Sequence, residues 1–168
     1  MIYTVKGSFD AAHRLPEHPG KCKGIHGHSY KLEVRVRIPQ SHIFGSGAPT
    51  DDVQDDKNMG VDFAELKRIV RQACELRDHT LMHNRRDPQE PIFSELHAVD
   101  AAKTWPMAGN PTAEAIVDGL WTEFVLALRM LEQASGKQIA LWSVTLWESD
   151  DCAVTKTVED MGGACERC

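Results

Sequence analysis

An α+β fold, with a four-stranded antiparallel sheet covered on one face by two helices, is the class this sequence predicts. Three observations carry it. Segments that read as strands lie toward both ends of the chain, alternating with a two-residue period in 29–38 and largely apolar on both faces in 139–147, and two segments with a three-to-four-residue repeat lie between them. The resulting order, strand, strand, helix, helix, strand, strand, places a hairpin on either side of the helices.

Residues 2–9 read as the first strand. Residues 29–38 read as the second, because Tyr30, Leu32, Val34, Val36 and Ile38 alternate with Lys31, Glu33, Arg35 and Arg37. The stretch from Pro39 to Gly60 is rich in Gly, Pro, Ser and Asp, has no period, and is expected as a loop. Asp62 is placed to cap the first helix, whose face carries Phe63, Leu66, Ile69, Val70 and Ala73 and which ends near Arg77. Arg85 to Gly109, with three prolines and mixed composition, is assigned neither helix nor strand. The second helix is expected from Pro111, whose fixed φ suits a first turn, with Ile116, Val117, Leu120, Trp121, Phe124, Val125, Leu128 and Leu131 as its core stripe and Gly136 as its end. Ile139 to Trp147 and Ala153 to Val158 complete the sheet. Its charged outer face and open edges would be managed by joining several copies into a barrel.

The 168 residues, 42% hydrophobic and 26% charged, read as one globular domain spanning 1–168. The start, Met1 to Lys6, lacks the apolar run of a signal peptide, and no eighteen consecutive apolar residues could span a bilayer, so a cytoplasmic location is expected. A net charge of −6, with no basic cluster interleaved with aromatics, argues against nucleic acid as a partner. Arg14, Lys21 and Lys23 could still give a local positive field for an anionic ligand, or be solvated surface cations. Five cysteines, an odd number without a secretion signal, favour reduced thiols. Cys74 falls in the first helix stripe and is read as core. Cys165 and Cys168 have the Cys-x-x-Cys spacing of one half of a zinc ribbon or of a redox motif, with no second pair to complete four ligands, and are read as a frayed terminus.

The chemistry concentrates in Cys22-Lys23-Gly24-Ile25-His26-Gly27-His28. On a strand, His26 and His28 point the same way and can grip one ion. His13, in Phe9-Asp10-Ala11-Ala12-His13-Arg14-Leu15, offers the third imidazole. Three histidines with an open fourth position are what catalytic zinc requires. A His-x-His pair alone also occurs as histidines satisfied by hydrogen bonds. Gly27, which allows close backbone approach, the second segment with His13, and Cys22 at the entrance favour Zn2+. Asp78-His79 alone reads as a helix end with a cation at the dipole. Glu148, after the same-face residues Trp142, Val144 and Leu146, reads alone as either a solvated edge or a carboxylate kept for a ligand.

Taken together, these motifs resemble, in order and over nearly the whole length, the 6-pyruvoyl-tetrahydropterin synthase and 6-carboxy-tetrahydropterin synthase family. Phe9 to Leu15 is similar to its Phe-x-Ala-x-His-Arg-Leu, Cys22 to His28 to its Cys-x3-His-Gly-His, and Val61 to Lys67 to its helix-opening Asp-Phe. Asp78-His79, Asn110 to Glu114 and Trp147-Glu148 are similar to its Asp-His, Pro-Thr-x-Glu and pterin-anchoring segments. The resemblance implies the tunnelling fold: three subunits pool their sheets into a barrel, two trimers stack into a homohexamer, and active sites lie between subunits. It implies that His13, His26 and His28 hold zinc. Cys22 would meet Asp78 and His79 of a neighbouring chain as the proton-transfer set, and Glu148, with Thr112 nearby, would clasp a pterin. Three residues between Cys22 and His26 resemble the bacterial 6-carboxy enzyme of queuosine and 7-deazapurine biosynthesis; tetrahydrobiopterin-forming relatives typically carry five. The implied reaction converts 7,8-dihydroneopterin triphosphate to 6-carboxy-5,6,7,8-tetrahydropterin with loss of acetaldehyde and triphosphate. The alternatives are 6-pyruvoyl-tetrahydropterin formation, aldolase-type cleavage of dihydroneopterin, and a non-catalytic zinc or pterin-binding protein. The segments 39–60 and 85–109 are longer than in compact members of the family.

Overall fold

The structure, a computed structural model, describes residues 1–44 and 59–161. Its centre is a long hairpin of β1 (Ile2–His13) and β2 (His26–Arg37), paired antiparallel without a break from Ile2 opposite Arg37 to His13 opposite His26. Both strands run further than the apolar alternation indicates, because the added residues are histidines and small or polar side chains. β5 (Ala140–Trp147) pairs antiparallel with β2, with a bulge near Arg35 and Val36, and β6 (Ala153–Thr157) pairs antiparallel with β5.

The sheet is not the four-stranded antiparallel one expected. It has six strands in the order β4-β3-β1-β2-β5-β6 and is mixed. β3 (Thr80–Asn84) runs parallel to the last three residues of β1, Ala11 to His13, and β4 (Lys103–Met107) runs parallel to β3. The crossover between them carries α3 (Glu90–Ala98), in the stretch read as lacking regular structure. Five-residue strands are too short to show a period. Pro106 also argues against a strand, yet β4 is the outermost strand, where a missing N–H is tolerated.

The helices follow the sequence reading more closely. Asp62 caps α2 (Phe63–Arg77), its Oδ1 accepting from the Ala64 N–H at 2.8 Å. α4 (Ala113–Ser135) begins two residues after Pro111 because Thr112 is its cap, and it ends on Gly136 at φ 66°, a left-handed conformation that glycine adopts without penalty. A four-residue helix, α1 (Ser41–Phe44), occupies the start of the Pro39–Gly60 stretch; 45–58 and the Cys165–Cys168 tail lie outside the described residues.

α2 and α4 cover one face of the sheet. Val5, Phe9, Leu32, Val34, Val144 and Leu146 from the strands are buried against Leu66, Ile69, Val70, Ile116, Leu120 and Phe124 from the helices. Each large apolar side chain so buried contributes about 1.5–3 kcal/mol. Cys74 belongs to this core, as the sequence reading has it, and burial pushes its thiol up to about 11. On the side away from β2, the residues of β1 before Ala11 have no strand partner among the described residues, and neither has the outer side of β6.

Candidate metal centre and active site

His13 ends β1 directly opposite His26 at the start of β2, and His28 follows two residues on. Strand alternation therefore turns all three imidazoles to the helix-covered face, beside the start of α4. One ring nitrogen from each lies within 4.8 Å of the other two. His13 Nδ1 donates to the Pro111 carbonyl at 2.7 Å, and His26 Nδ1 donates to the Gly24 carbonyl at 3.0 Å. A carbonyl can only accept, so each ring carries its proton on Nδ1 and turns the Nε2 lone pair inward. The His13 and His26 Nε2 atoms are 3.0 Å apart. His28 Nε2 is buried with no hydrogen-bond partner. Burial holds the His13 imidazole below its usual pKa, favouring its neutral form. Converging lone pairs and an orphaned buried nitrogen repel unless a cation sits among them, so this donor set fits a metal ion.

The cavity over the cluster has a volume of about 390 Å³ and is also lined by Cys22, Thr112, Glu114 and Glu148. Cys22 is held by the 3-10 turn Lys21–Lys23, which Leu15 tethers by donating its N–H to the Cys22 carbonyl at 2.8 Å. Glu148 follows β5 with its carboxylate Oε1 at 3.4 Å from His13 Nε2 and 3.6 Å from His28 Nε2. Thr112 accepts from the Ala115 N–H at 3.4 Å, so its hydroxyl caps α4 as well as facing the cavity. The Glu114 carboxyl is held below the usual range by its own backbone N–H and the Thr112 hydroxyl.

Asp78 and His79 lie elsewhere. A second cavity, about 540 Å³, contains His79 and Lys103 with Asp10, Ala12, Gly27 and Ser29. The last four alternate with His13, His26 and His28, so this cavity lies largely on the opposite face of the hairpin, with Ala11 and His28 also at its wall. The Asp78 carboxylate accepts from the Asp10 N–H and from His79 Nδ1, both at 2.8 Å, and these contacts hold its carboxyl below the usual range. His79 has φ 57°, a left-handed backbone conformation costing about 1–2 kcal/mol for a non-glycine residue, fixed by its N–H bond of 2.7 Å to the Asp10 carbonyl. One chain thus gathers His13, His26, His28, Cys22, Thr112 and Glu148, and does not bring Asp78 and His79 into that cavity.

Two features escape the sequence reading. Tyr30, counted as apolar core, is fully buried and its hydroxyl donates to Glu148 Oε1 at 3.4 Å; its position two residues after His28, on the same face, is the available signal. Arg14 is not a free cation near the metal site. Its side chain is buried, its Nε lies 3.1 Å from Asp87 Oδ2, and it also donates to Gln89. Lys21 and Lys23 are exposed.

A small α+β chain carries, on its central hairpin, a histidine cluster that could hold a metal ion, with an adjoining thiol and carboxylate. The profile described as 6-pyruvoyl tetrahydropterin synthase matches residues 2–159, and the chain belongs to this family. Among curated relatives, a 6-carboxy-5,6,7,8-tetrahydropterin synthase of Haemophilus influenzae is 33% identical over 136 residues, covering 80% of this chain and 86% of the relative. One of Rickettsia conorii, bearing the same description, is 27% identical and covers 90% of this chain and 96% of the relative. Among solved structures, an uncharacterized protein of Wolinella succinogenes has a TM-score of 0.62 at 17% identity, covering 94% of this chain and 99% of that one. A 6-pyruvoyl tetrahydropterin synthase of Plasmodium falciparum has a TM-score of 0.58 at 16% identity, covering 94% and 98%. These structures share the fold. The curated relatives are tetrahydropterin synthases, which are lyases, and the chain is accordingly an enzyme. Among the described residues no helix is long and apolar enough to cross a membrane.

Proposed function

We propose that this enzyme is a zinc-dependent 6-carboxy-5,6,7,8-tetrahydropterin synthase acting on 7,8-dihydroneopterin triphosphate in 7-deazapurine (queuosine) biosynthesis, as a cytoplasmic protein. The observation that carries the reading is the convergence of His13, His26 and His28 beneath Cys22 and Glu148 in one cavity. The names of the curated relatives and the three-residue spacing from Cys22 to His26 support the 6-carboxy product over the 6-pyruvoyl one.

His13, His26 and His28 hold the zinc. Bound there, the ion supplies Lewis-acid polarisation of the substrate's side-chain hydroxyls. Cys22, at the cavity wall, moves protons between carbon and oxygen of that side chain. Glu148 accepts from the pterin's ring N–H and amino group, with Thr112 beside it. His79, oriented by Asp78, is the second acid–base group, and it serves the cavity of a neighbouring subunit. Two facts support the shared site: Asp78 and His79 open on the other face of the hairpin, and β1 and β6 offer unpaired edges for joining copies into a barrel of trimers, stacked as a hexamer.

Chelation of zinc should abolish consumption of dihydroneopterin triphosphate, and one equivalent of zinc should restore it. His28→Ala protein should retain little zinc and show no such recovery. Substrate consumption by metal-free protein at the parental rate would contradict the proposal.

A further inference from the structure

The Glu148 carboxylate makes three close approaches, all through one oxygen. Oε1 lies 3.4 Å from His13 Nε2, 3.6 Å from His28 Nε2 and 3.4 Å from the Tyr30 hydroxyl; Oε2 has no partner among the described residues. The imidazole contacts are not hydrogen bonds. His13 has its proton on Nδ1, committed to Pro111, and His28 Nε2 has no hydrogen-bond partner. An anionic oxygen facing the His13 lone pair is repelled by it, and the buried His28 Nε2 stays unsatisfied, unless a cation lies between them. Ligand atoms that share a zinc ion at about 2.0–2.1 Å in tetrahedral geometry stand about 3.3 Å from one another, close to both observed spacings.

Tyr30 explains why this oxygen is placed there. Its ring is fully buried, edge-on to His13 with centroids 6.2 Å apart and 5.5 Å from the His28 ring. Glu148 is the one hydrogen-bond partner of its hydroxyl among the described residues. A buried phenol without that partner would be left unsatisfied, so tyrosine and carboxylate fix one another.

We infer that Glu148 Oε1 is a fourth protein ligand of the metal held by His13, His26 and His28, with Tyr30 as its positioning residue and Oε2 left to face the pterin. This rests on the metal reading of the site and adds to it a resting state in which the fourth position belongs to the chain itself. A pterin gripped by Glu148 must share Oε1 with the metal or displace it, so metal binding and pterin recognition are coupled through one carboxylate.

The test is zinc affinity of the full chain without pterin, measured by chelator competition, with the visible spectrum of the Co2+-loaded protein as a second readout. Glu148→Gln should raise the zinc dissociation constant about tenfold or more and change the Co2+ bands. Tyr30→Phe should raise it by about threefold, and the double variant should bind no more weakly than Glu148→Gln alone, since the phenol acts only through the carboxylate. A Glu148→Gln protein whose affinity is within about twofold of a zinc-binding parent, or strictly additive effects of the two substitutions, overturns the inference and leaves the three-histidine site standing. A parent that binds neither Zn2+ nor Co2+ overturns both.

Discussion

His13 and His26 each donate Nδ1–H to a backbone carbonyl, of Pro111 and Gly24, and this fixes which nitrogen faces the centre. The histidines themselves are legible in the sequence, because period-two geometry and a His-x-His spacing leave few other readings. The carbonyls that orient them are not, since any residue supplies a carbonyl. Tyr30 is hidden for a different reason: its ring continues the apolar alternation, and only the partner of its hydroxyl reveals a role. Glu148 could be read two ways, and its closeness to the imidazoles favours a carboxylate kept for ligands over a solvated edge. A carboxylate accepting two pterin N–H groups makes a charge-assisted bidentate contact. At saturating zinc, Glu148→Gln, which replaces one acceptor oxygen by a donor, should therefore weaken binding of a dihydropterin lacking phosphates by about tenfold or more, a loss of about 1.4 kcal/mol at the least. Isothermal titration reads this directly, and unchanged affinity would mean that Glu148 does not bind the pterin.

Four of the six strands and both long helices announce themselves through periodicity and capping residues. β3 and β4 do not, because a five-residue strand has too few residues to alternate and because the contacts that define them are parallel pairings with β1 and with each other. This added β3-α3-β4 unit is tied to the strand that carries His13. Arg14, next to His13, reaches across to Asp87 and Gln89 just ahead of α3, and both ends of the ion pair are buried. Removing one partner of such a pair leaves an uncompensated charge inside the protein. Asp87→Ala should accordingly lower unfolding stability by about 3–5 kcal/mol, seen as a fall in the urea midpoint, and should lower zinc affinity through the displaced end of β1. A midpoint within error of the parent would mean that the pair is solvated in solution. Arg77 forms a second, partly exposed clamp, with both terminal guanidinium nitrogens on Glu123 and its Cζ 5.0 Å from the centre of the Trp105 ring, linking α2, α4 and β4.

For the whole molecule, the two halves of the proposed acid–base set lie largely on opposite faces of one hairpin, so the proposal requires copies of the chain to meet. Single-chain composition carries no sign of this; it follows from the parity of Asp10, Ala12, Gly27 and Ser29 against His13, His26 and His28. Cys22→Ala and His79→Asn proteins, the latter chosen because asparagine tolerates the left-handed backbone at that position, should each lose turnover by about a hundredfold or more. Co-expressed in equal amounts they should recover about a quarter of parental activity, the share of sites that draw an intact Cys22 from one chain and an intact His79 from its neighbour. No recovery would place both groups within one chain. The product itself tests the central claim most directly. Zinc-loaded protein incubated with 7,8-dihydroneopterin triphosphate, with the mixture resolved by mass spectrometry, should yield 6-carboxy-5,6,7,8-tetrahydropterin together with acetaldehyde and triphosphate; a 6-pyruvoyl product, or substrate left intact by fully metallated protein, would contradict the account.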